Sequence, residues 1–365
     1  MQIALTKKLA DAKKLTLPTS DETIDPLFTW TANWTRAWEN RKNEDILVLV
    51  NSATQFTVAI YEVKRKDLNN MEEIIRNAIS NTLLAMNINQ EIIDEYWSLA
   101  GDIEFVKNSS RQAASRVSKS GQQSSFYIDR NYSGVAKVFD DTMGKSISQV
   151  LVQKPNAKND YILPSEEMVN ALTELTGKNI YDYHAFELLV TLDLGAYKAT
   201  RQFIVAADLN FSQLHNILQS VYRWENSHLY DFTVYEGNKR RPIARLVPFE
   251  EDLEYDSEAI LMDEQVLSDY FPMFKRIVYT YDYGDNWQHH IRLVREIEHF
   301  DMPSPYLVKA SGQAPPEDVG GVGGFLDFLE SITNPNHPEY EENKVWAGFW
   351  SPELSDWETQ PRLIH

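Results

Sequence analysis

The sequence contains no cysteine among its 365 residues. This absence excludes disulfide bonds, thiolate metal ligands, iron–sulfur clusters and cysteine nucleophiles together. A long apolar run is also missing: the longest purely aliphatic run is Ile46 to Val50, whereas a membrane-spanning helix needs about 20 apolar residues. The segment 1–17 carries four spaced lysines and none of the apolar core typical of a signal peptide. We therefore expect a cytoplasmic protein with no membrane partner.

Basic residues are scarce relative to acidic residues, and the imbalance lies in one part of the chain. Lys and Arg number 35 against 54 for Asp and Glu, so the net charge is −19. Residues 1–155 hold 19 side chains of each sign, whereas residues 156–365 hold 16 basic and 35 acidic ones. A surface this acidic repels phosphate backbones, so the second part is a poor nucleic-acid surface. The short polar stretch Lys154–Asp160 is interrupted by proline, which is typical of a linker. Together these features predict two domains, 1–152 and 163–365.

Apolar patterning predicts an α+β fold, in which each domain is a mainly antiparallel or mixed sheet packed with helices. Alternating or continuous β-branched runs mark strands, and apolar residues at helical spacing mark helices. Strands are expected at 46–50, 56–61, 186–194, 201–206 and 231–235. Helices are expected at 71–87, 90–99, 165–177, 211–224 and 325–332.

One basic segment lies in the first domain. Arg111, Arg116 and Lys119 lie among seven serines between residues 109 and 125, without aromatic residues between them. A phosphate-binding loop is one interpretation, but charge patterns of this kind are more typical of a solvated helix or a mobile loop.

The acidic extreme is the segment 250–269, which holds nine carboxylates and no Lys or Arg. Its first half is expected to be an exposed loop, and residues 260–267 are expected to form a short helix. Paired carboxylates can bind a divalent cation, but the glycine-punctuated spacing of a calcium loop is absent. A solvated acidic connection is therefore favoured here.

The segment 276–294 reads as a β-hairpin that turns on Gly284 and Asp285. A two-residue turn pairs Tyr279 with His290 and places Trp287 and His289 on one face with Asp282. A carboxylate beside an imidazole fixes its tautomer and raises its basicity, so Asp282 and His289 are the catalytic candidates. The alternative is a buried histidine satisfied by Asp282 or Thr280, and we favour it because structural networks also perturb histidines.

A second motif is the glycine-rich segment 311–325, in which four of the five positions 320–324 are glycine. The motif lacks the lysine ending of a phosphate-binding loop and the spacing of a dinucleotide fingerprint. Glu317 and Asp318, next to the glycines, oppose phosphate and favour a cation or a cationic group. The structural alternative, a tight loop capped by these carboxylates, is the favoured interpretation.

Four separated motifs, in order, resemble the plasmid pRiA4b ORF-3-like family over about residues 183–348. They are Leu214-His215, Trp224–Leu229, Tyr281–His289 and Pro315–Gly321. The first domain separately resembles a family known only as a domain of unknown function, through Thr6–Leu9 and the hairpin 46–61.

The resemblance to the plasmid pRiA4b ORF-3-like family implies an α+β fold with a mixed or antiparallel sheet. It also implies an association with plasmids and mobile elements, and some members carry transposon-resolvase labels, although no activity follows from the family's name. Many relatives have cysteines around the Pro-Pro-Glu-Asp motif, where this chain has Val319. Thiolate chemistry and thiolate zinc binding are therefore excluded for this chain.

Three functions remain open, and a non-enzymatic binding or interaction protein is favoured. Its ligand, a protein or a small molecule, would occupy a groove between the hairpin, the helix at 211–224 and the glycine-rich loop. The expected ligand-binding residues are Trp224, His228, Tyr281, Asp285, Trp287, Glu317 and Asp318, with His289 beside them.

The first alternative is a metal-assisted hydrolase, and the second is a nucleic-acid accessory factor of a mobile element. The hydrolase would use Asp282 with the metal candidates His289, Glu317 and Asp318. The accessory factor would bind through Arg111, Arg116 and Lys119. The sequence firmly implies no cofactor, and a bound divalent metal ion is the hypothesis to test.

Overall fold

The computed structural model describes residues 1–21, 23–36, 42–131, 141–154, 157, 159–237 and 241–364. The chain divides into two compact units, Met1–Asp182 and Tyr183–His365. This division falls later than the sequence-based boundary at 152–163. The reason is that the helix Pro164–Thr176 packs Met168 and Leu172 into the core of the first unit.

The first unit is built on a mixed sheet, as expected for an α+β fold. Its strands are β1 (Gln2–Leu5), β2 (Thr29–Thr35), β3 (Ile46–Asn51), β4 (Thr57–Ile60) and β5 (Glu104–Lys107), with a separate pair β6 (Val152–Gln153) and β7 (Tyr161–Ile162). Its helices are α1 (Lys7–Lys13), α2 (Met71–Ala85), α3 (Gln90–Ala100), α4 (Arg111–Asn131), α5 (Asp141–Ser148) and α6 (Pro164–Thr176). The strand order is β4-β3-β2-β1-β5, in which β1 runs parallel to both neighbours and the other pairs are antiparallel.

Side-chain alternation divides this sheet between two helix layers. On one face, Trp30 and Leu49 pack with α2, α3 and α6. On the other face, Val48 and Val50 pack against α4 and α5 through Val117 and other apolar side chains. The predicted hairpin 46–61 and the helices at 71–87 and 90–99 are confirmed. The basic segment 109–125 forms most of α4, in agreement with the solvated-helix interpretation.

The second unit is a nearly all-antiparallel sheet with helices. Its strands are β8 (Tyr183–Leu194), β9 (Tyr197–Ala206), β10 (Tyr230–Tyr235), β11 (Pro242–Val247), β12 (Ile260–Leu261), β13 (Arg276–Tyr281), β14 (Trp287–Phe300), β15 (Tyr306–Ser311) and β16 (Arg362–Leu363). Its helices are α7 (Phe211–Tyr222), α8 (Asp252–Tyr255), α9 (Gly321–Thr333), α10 (Tyr340–Ala347) and α11 (Asp356–Thr359). The order is β12-β11-β10-β13-β14-β8-β9-β15-β16, and the short pair β11–β12 is parallel.

The amphipathic α7 covers one face of this sheet and positions the residues discussed below. A capping box fixes its start, since the Asn210 side chain accepts from the Gln213 N–H and the Gln213 side chain accepts from the Asn210 N–H. Arg223, with φ of 62°, ends the helix in the left-handed conformation. The apolar face of α7 joins a core shared with α9 and the central strands.

Three local expectations are wrong. Residues 260–267 form the short strand β12 and 3₁₀ turns rather than a helix, because Leu246 and Val247 of β11 pair with Ile260 and Leu261. Within the acidic segment, the four-residue helix α8 interrupts the predicted loop, although none of its residues is buried. The glycine-rich segment becomes helical at Gly321, earlier than predicted, because α9 includes three of its glycines.

Candidate functional site

The hairpin β13–β14 has a register one residue away from the predicted one. Tyr281 pairs with Trp287 and Tyr279 pairs with His289. The predicted two-residue turn is wrong because the connection runs from Asp282 to Asn286, and both of these residues have positive φ. The Asp282 carboxylate accepts from the backbone N–H of Gly284 and of Asp285, at 2.9 and 3.3 Å, which is an Asx-type turn.

This register changes which side chains share a face, because a one-residue shift moves a strand's side chains to the other face. Trp287 and His289 lie with Tyr279 and Tyr281 instead of opposite them, and all four are buried. With two further buried rings they form what we call the aromatic cluster. Its members are Tyr222, Trp224, Tyr279, Tyr281, Trp287 and His289.

His289 is therefore a core residue rather than the partner of Asp282. Its side chain is fully buried, and its Nδ1 lies 3.3 Å from the backbone carbonyl of Tyr279, to which it donates. Burial lowers the pKa of His289 to about 3, so the ring is neutral at ordinary pH. The predicted Asp282–His289 pair does not form. His289 is a buried structural histidine, as the alternative interpretation states, but its partner is a backbone carbonyl and not Asp282 or Thr280.

Trp224 joins the aromatic cluster to the loop before α9. Its ring stacks on Tyr281 at 4.9 Å between centroids and meets His289 edge-on at 5.0 Å. Its Nε1–H donates to the carbonyl of Pro315 at 3.0 Å. This hydrogen bond satisfies the polar edge of a buried indole and fixes the Pro-Pro-Glu-Asp motif against the core.

A second buried histidine, His215, ties α7 to β13. Its ring stacks on Tyr230 at 3.5 Å, its Nδ1 lies 2.8 Å from the Tyr279 hydroxyl, and its Nε2 lies 2.8 Å from Oδ1 of Asn226. Because Gln219 Nε2 donates to the Tyr279 hydroxyl, that hydroxyl donates to Nδ1 and Nε2–H donates to Asn226. Burial lowers the pKa of His215 to about 4. Sequence reasoning missed this network, and the available signal was a histidine on the apolar face of a helix.

Glu317 connects the aromatic cluster to the surface. Its Oε1 accepts from the Tyr281 hydroxyl at 3.1 Å and from the backbone N–H of Glu225 at 2.8 Å. The Tyr281 hydroxyl in turn accepts from the backbone N–H of Ser227 at 3.0 Å. Burial raises the pKa of Tyr281, so this hydroxyl keeps its proton and acts as the donor to Glu317.

The other oxygen of Glu317 faces an imidazole at the surface. His228 Nε2 lies 3.6 Å from Oε2 of Glu317 and 3.2 Å from Oδ1 of Asp318, and its Nδ1 lies 3.6 Å from Oδ2 of Asp282. Although Nε2 is shielded from solvent, it makes no hydrogen bond with the part of the chain that the structure describes. We call His228, Asp282, Glu317 and Asp318 the cation cluster.

Asp285 holds the hairpin loop against the glycine-rich loop. Its Oδ2 accepts from the backbone N–H of Gly320 at 3.1 Å. Gly321, with φ of 69°, lies so close that a Cβ atom there would be 3.0 Å from the carbonyl oxygen of Asp285. Asp285 therefore positions the loop that carries Glu317 and Asp318.

Two groups of described histidine and carboxylate side chains converge closely enough to hold a metal ion. One is His228, Asp282 and Asp318, whose ligand atoms all lie within 4.8 Å of one another, and the other is His184, Glu296 and Glu298. The acidic segment 250–269 contributes to neither. One of its carboxylates, Asp256, lies 3.4 Å from the Arg245 guanidinium.

The basic residues of the nucleic-acid alternative lie on α4 in the first unit. Arg111 and Lys119 are exposed, and Arg116 is half-buried. No helix among the described segments has the length and apolarity to cross a membrane.

The comparisons with known proteins concern each unit separately. Residues 184–359 match the family model described as "Plasmid pRiA4b ORF-3-like protein", and residues 2–167 match "Domain of unknown function (DUF6933)". The uncharacterized protein y4hQ of Sinorhizobium fredii is 34% identical to this chain over 163 residues, which cover 44% of this chain and 79% of that relative. The crystal structure of MM3350, a protein of unknown function from Methanosarcina mazei Go1, superposes with a TM-score of 0.43. It is 28% identical, and the match covers 47% of this chain and 95% of that one.

Proposed function

The chain belongs to the plasmid pRiA4b ORF-3-like protein family, and we propose that it is a non-enzymatic binding protein whose second unit holds a divalent cation at the cation cluster. The observation that carries this proposal is the position of His228. Both of its ring nitrogens face carboxylate oxygens, at 3.2 to 3.6 Å, and these carboxylates come from two separate loops.

The donor set suits a divalent transition-metal ion. One imidazole with carboxylate oxygens is a combination that Mn²⁺ and Zn²⁺ accept, and the absence of thiolates disfavours softer ions. Three carboxylates at one imidazole carry excess negative charge that a divalent cation offsets. The acidity of residues 156–365 raises the local concentration of cations further.

The loops that supply the cluster hold their carboxylates in defined positions. Asp282 and Asp318 both have positive φ, at 54° and 59°, and such strained conformations concentrate at functional sites. Asp318 is exposed over 76% of its side chain, so a cation can reach the cluster from solvent. The Tyr281 hydroxyl and the Glu225 N–H hold Glu317 while leaving its Oε2 directed at His228.

The metal-assisted hydrolase is less well supported, because it uses His289 as a metal ligand or a base. A fully buried, neutral imidazole surrounded by aromatic rings cannot contact a substrate or a metal-bound water. Trp287 and His289 are likewise too buried to line an open groove. The binding site that we propose is therefore the cation cluster at the surface and not the buried aromatic cluster.

Calorimetric titration of the chelator-treated intact chain with Mn²⁺ and Zn²⁺ tests this proposal. We expect 1:1 binding that His228→Asn and Glu317→Gln each weaken at least tenfold with little change in volume. The first variant removes a ligand of the convergent group, and the second removes a negative charge that faces His228. Glu296→Gln, in the other histidine–carboxylate group, is the matched control and should bind like the wild type. The proposal is overturned if neither metal binds, or if Glu296→Gln abolishes binding while the two cluster variants do not.

A further inference from the structure

A cavity of about 220 Å³ lies in the first unit, between the sheet and the first turns of α4. The sheet contributes Ala4, Thr31 and Val50, which pair with one another across β1, β2 and β3. Because Trp30 and Ala32 face the opposite layer, alternation directs the Thr31 side chain to the α4 side, where the cavity lies. The helix contributes Gln112, Ala113 and Arg116.

The charges around this cavity are of one sign. Arg116 is the sole charged side chain among its lining residues, and the others are small apolar, hydroxyl and amide side chains. Its Nη2 donates to the Gln153 carbonyl at 3.3 Å, but it forms no ion pair with any described carboxylate. The first turn of α4 contains no acidic residue, so the positive end of its dipole is not offset there.

Thr31 is the second, independent feature of the cavity. Its side chain belongs to a residue that is only 3% exposed, yet its hydroxyl has no hydrogen-bond partner among the described residues. A hydroxyl that lines a cavity and makes no hydrogen bond with the described residues is available to bond a ligand or a water molecule there. The half-buried Arg116 guanidinium donates to one backbone carbonyl and keeps further N–H groups that can donate to an anion in the cavity.

We propose that this cavity binds a small phosphate-bearing ligand, with Arg116 as the cation and Thr31 as a hydrogen-bond donor. The guanidinium fork matches the oxygen geometry of a phosphate. Ser109 and Ser110, which directly precede α4, supply further polar groups. The volume lies below the roughly 300–1,000 Å³ of sites for drug-sized ligands, so the occupant is a phosphate or a small phosphomonoester.

The test is calorimetric titration of the intact chain at low salt with inorganic phosphate and with glycerol 3-phosphate, and with glycerol as the uncharged control. We expect both phosphates to bind and glycerol not to bind. Arg116→Gln and the isosteric Thr31→Val should each weaken binding, the former at least tenfold. Arg111→Gln removes a neighbouring exposed charge that does not line the cavity, and it should leave the affinity unchanged.

The circular dichroism spectrum and melting temperature of each variant establish that it is folded before titration. The proposal is overturned if folded wild-type chain binds neither phosphate at millimolar concentration, or if Arg111→Gln weakens binding as much as Arg116→Gln. Binding of single-stranded nucleic acid that both arginine variants weaken equally, without phosphate binding, also overturns it, because that result describes a charged helix face rather than a cavity.

Discussion

The Tyr281 hydroxyl donates a hydrogen bond to Oε1 of Glu317, and the two oxygens lie 3.1 Å apart. Tyr281 is a buried member of the aromatic cluster, whereas Glu317 belongs to the cation cluster at the surface. This bond therefore couples the packing of the core to the position of a proposed ligand.

Replacing Tyr281 with phenylalanine should lower both stability and cation affinity. The variant leaves Glu317 without one donor and the Ser227 N–H without its acceptor, so we expect the free energy of unfolding to fall by about 1–2 kcal/mol. Urea unfolding followed by tryptophan fluorescence measures the change. Tyr306→Phe is the control, because the Tyr306 hydroxyl makes no hydrogen bond with the described residues. Equal losses in the two variants would contradict the assigned role of Tyr281.

Alanine substitutions at two adjacent glycines of α9 should change the free energy of unfolding in opposite directions. A Cβ atom on Gly324 would lie 2.1 Å from the carbonyl oxygen of Val319, so the backbone must shift and we expect a loss of about 1–3 kcal/mol. A Cβ atom on Gly323 would meet nothing within 4 Å, and alanine there should raise stability by up to about 1 kcal/mol through helix propensity.

Thermal unfolding of the two alanine variants measures this contrast. Because Val319 follows Asp318 directly, Gly324→Ala should also weaken the binding of Mn²⁺, whereas Gly323→Ala should leave it unchanged. Destabilisation by both substitutions would contradict the open space beside Gly323.

The buried His215 should make the protein less stable as the pH falls. Its pKa is about 4 in the folded chain and about 6.5 when exposed, so between these values the unfolded chain binds a proton that the folded chain does not. Stability contributed by the neutral ring is therefore present above pH 6.5 and lost as the pH falls towards 4, by an amount on the order of 3 kcal/mol.

His215→Gln isolates this effect, because all other titrating groups are common to the two chains. The variant should be less stable than the wild type at pH 7, and the difference should shrink at each step from pH 7 to pH 4.5. Urea unfolding at each pH gives the two free energies. A difference that stays constant over this range would mean that His215 does not titrate as the network with Tyr279 and Asn226 requires.

The sequence by itself determined the α+β class, most helices and strands, and the family motifs, because these depend on local periodicity and residue type. Charge counting separated a neutral first part from an acidic second part. The structural units divide after Asp182, later than the predicted domain boundary. The amphipathic pattern of α6 does not indicate which domain it packs against, and the packing of Met168 and Leu172 places it in the first unit.

Only the tertiary structure decided which motif residues meet. Side chains of a β-strand alternate between two faces, so the register of the hairpin decides which face each side chain occupies. The turn sets that register, and the Asp282 carboxylate accepts two hydrogen bonds within the turn. The observed register buries His289, which the sequence analysis names as a catalytic candidate. It also left Asp282 facing His228, a residue 54 positions earlier in the chain. Contacts over such separations follow from the folding of the whole sheet, and no local pattern encodes them.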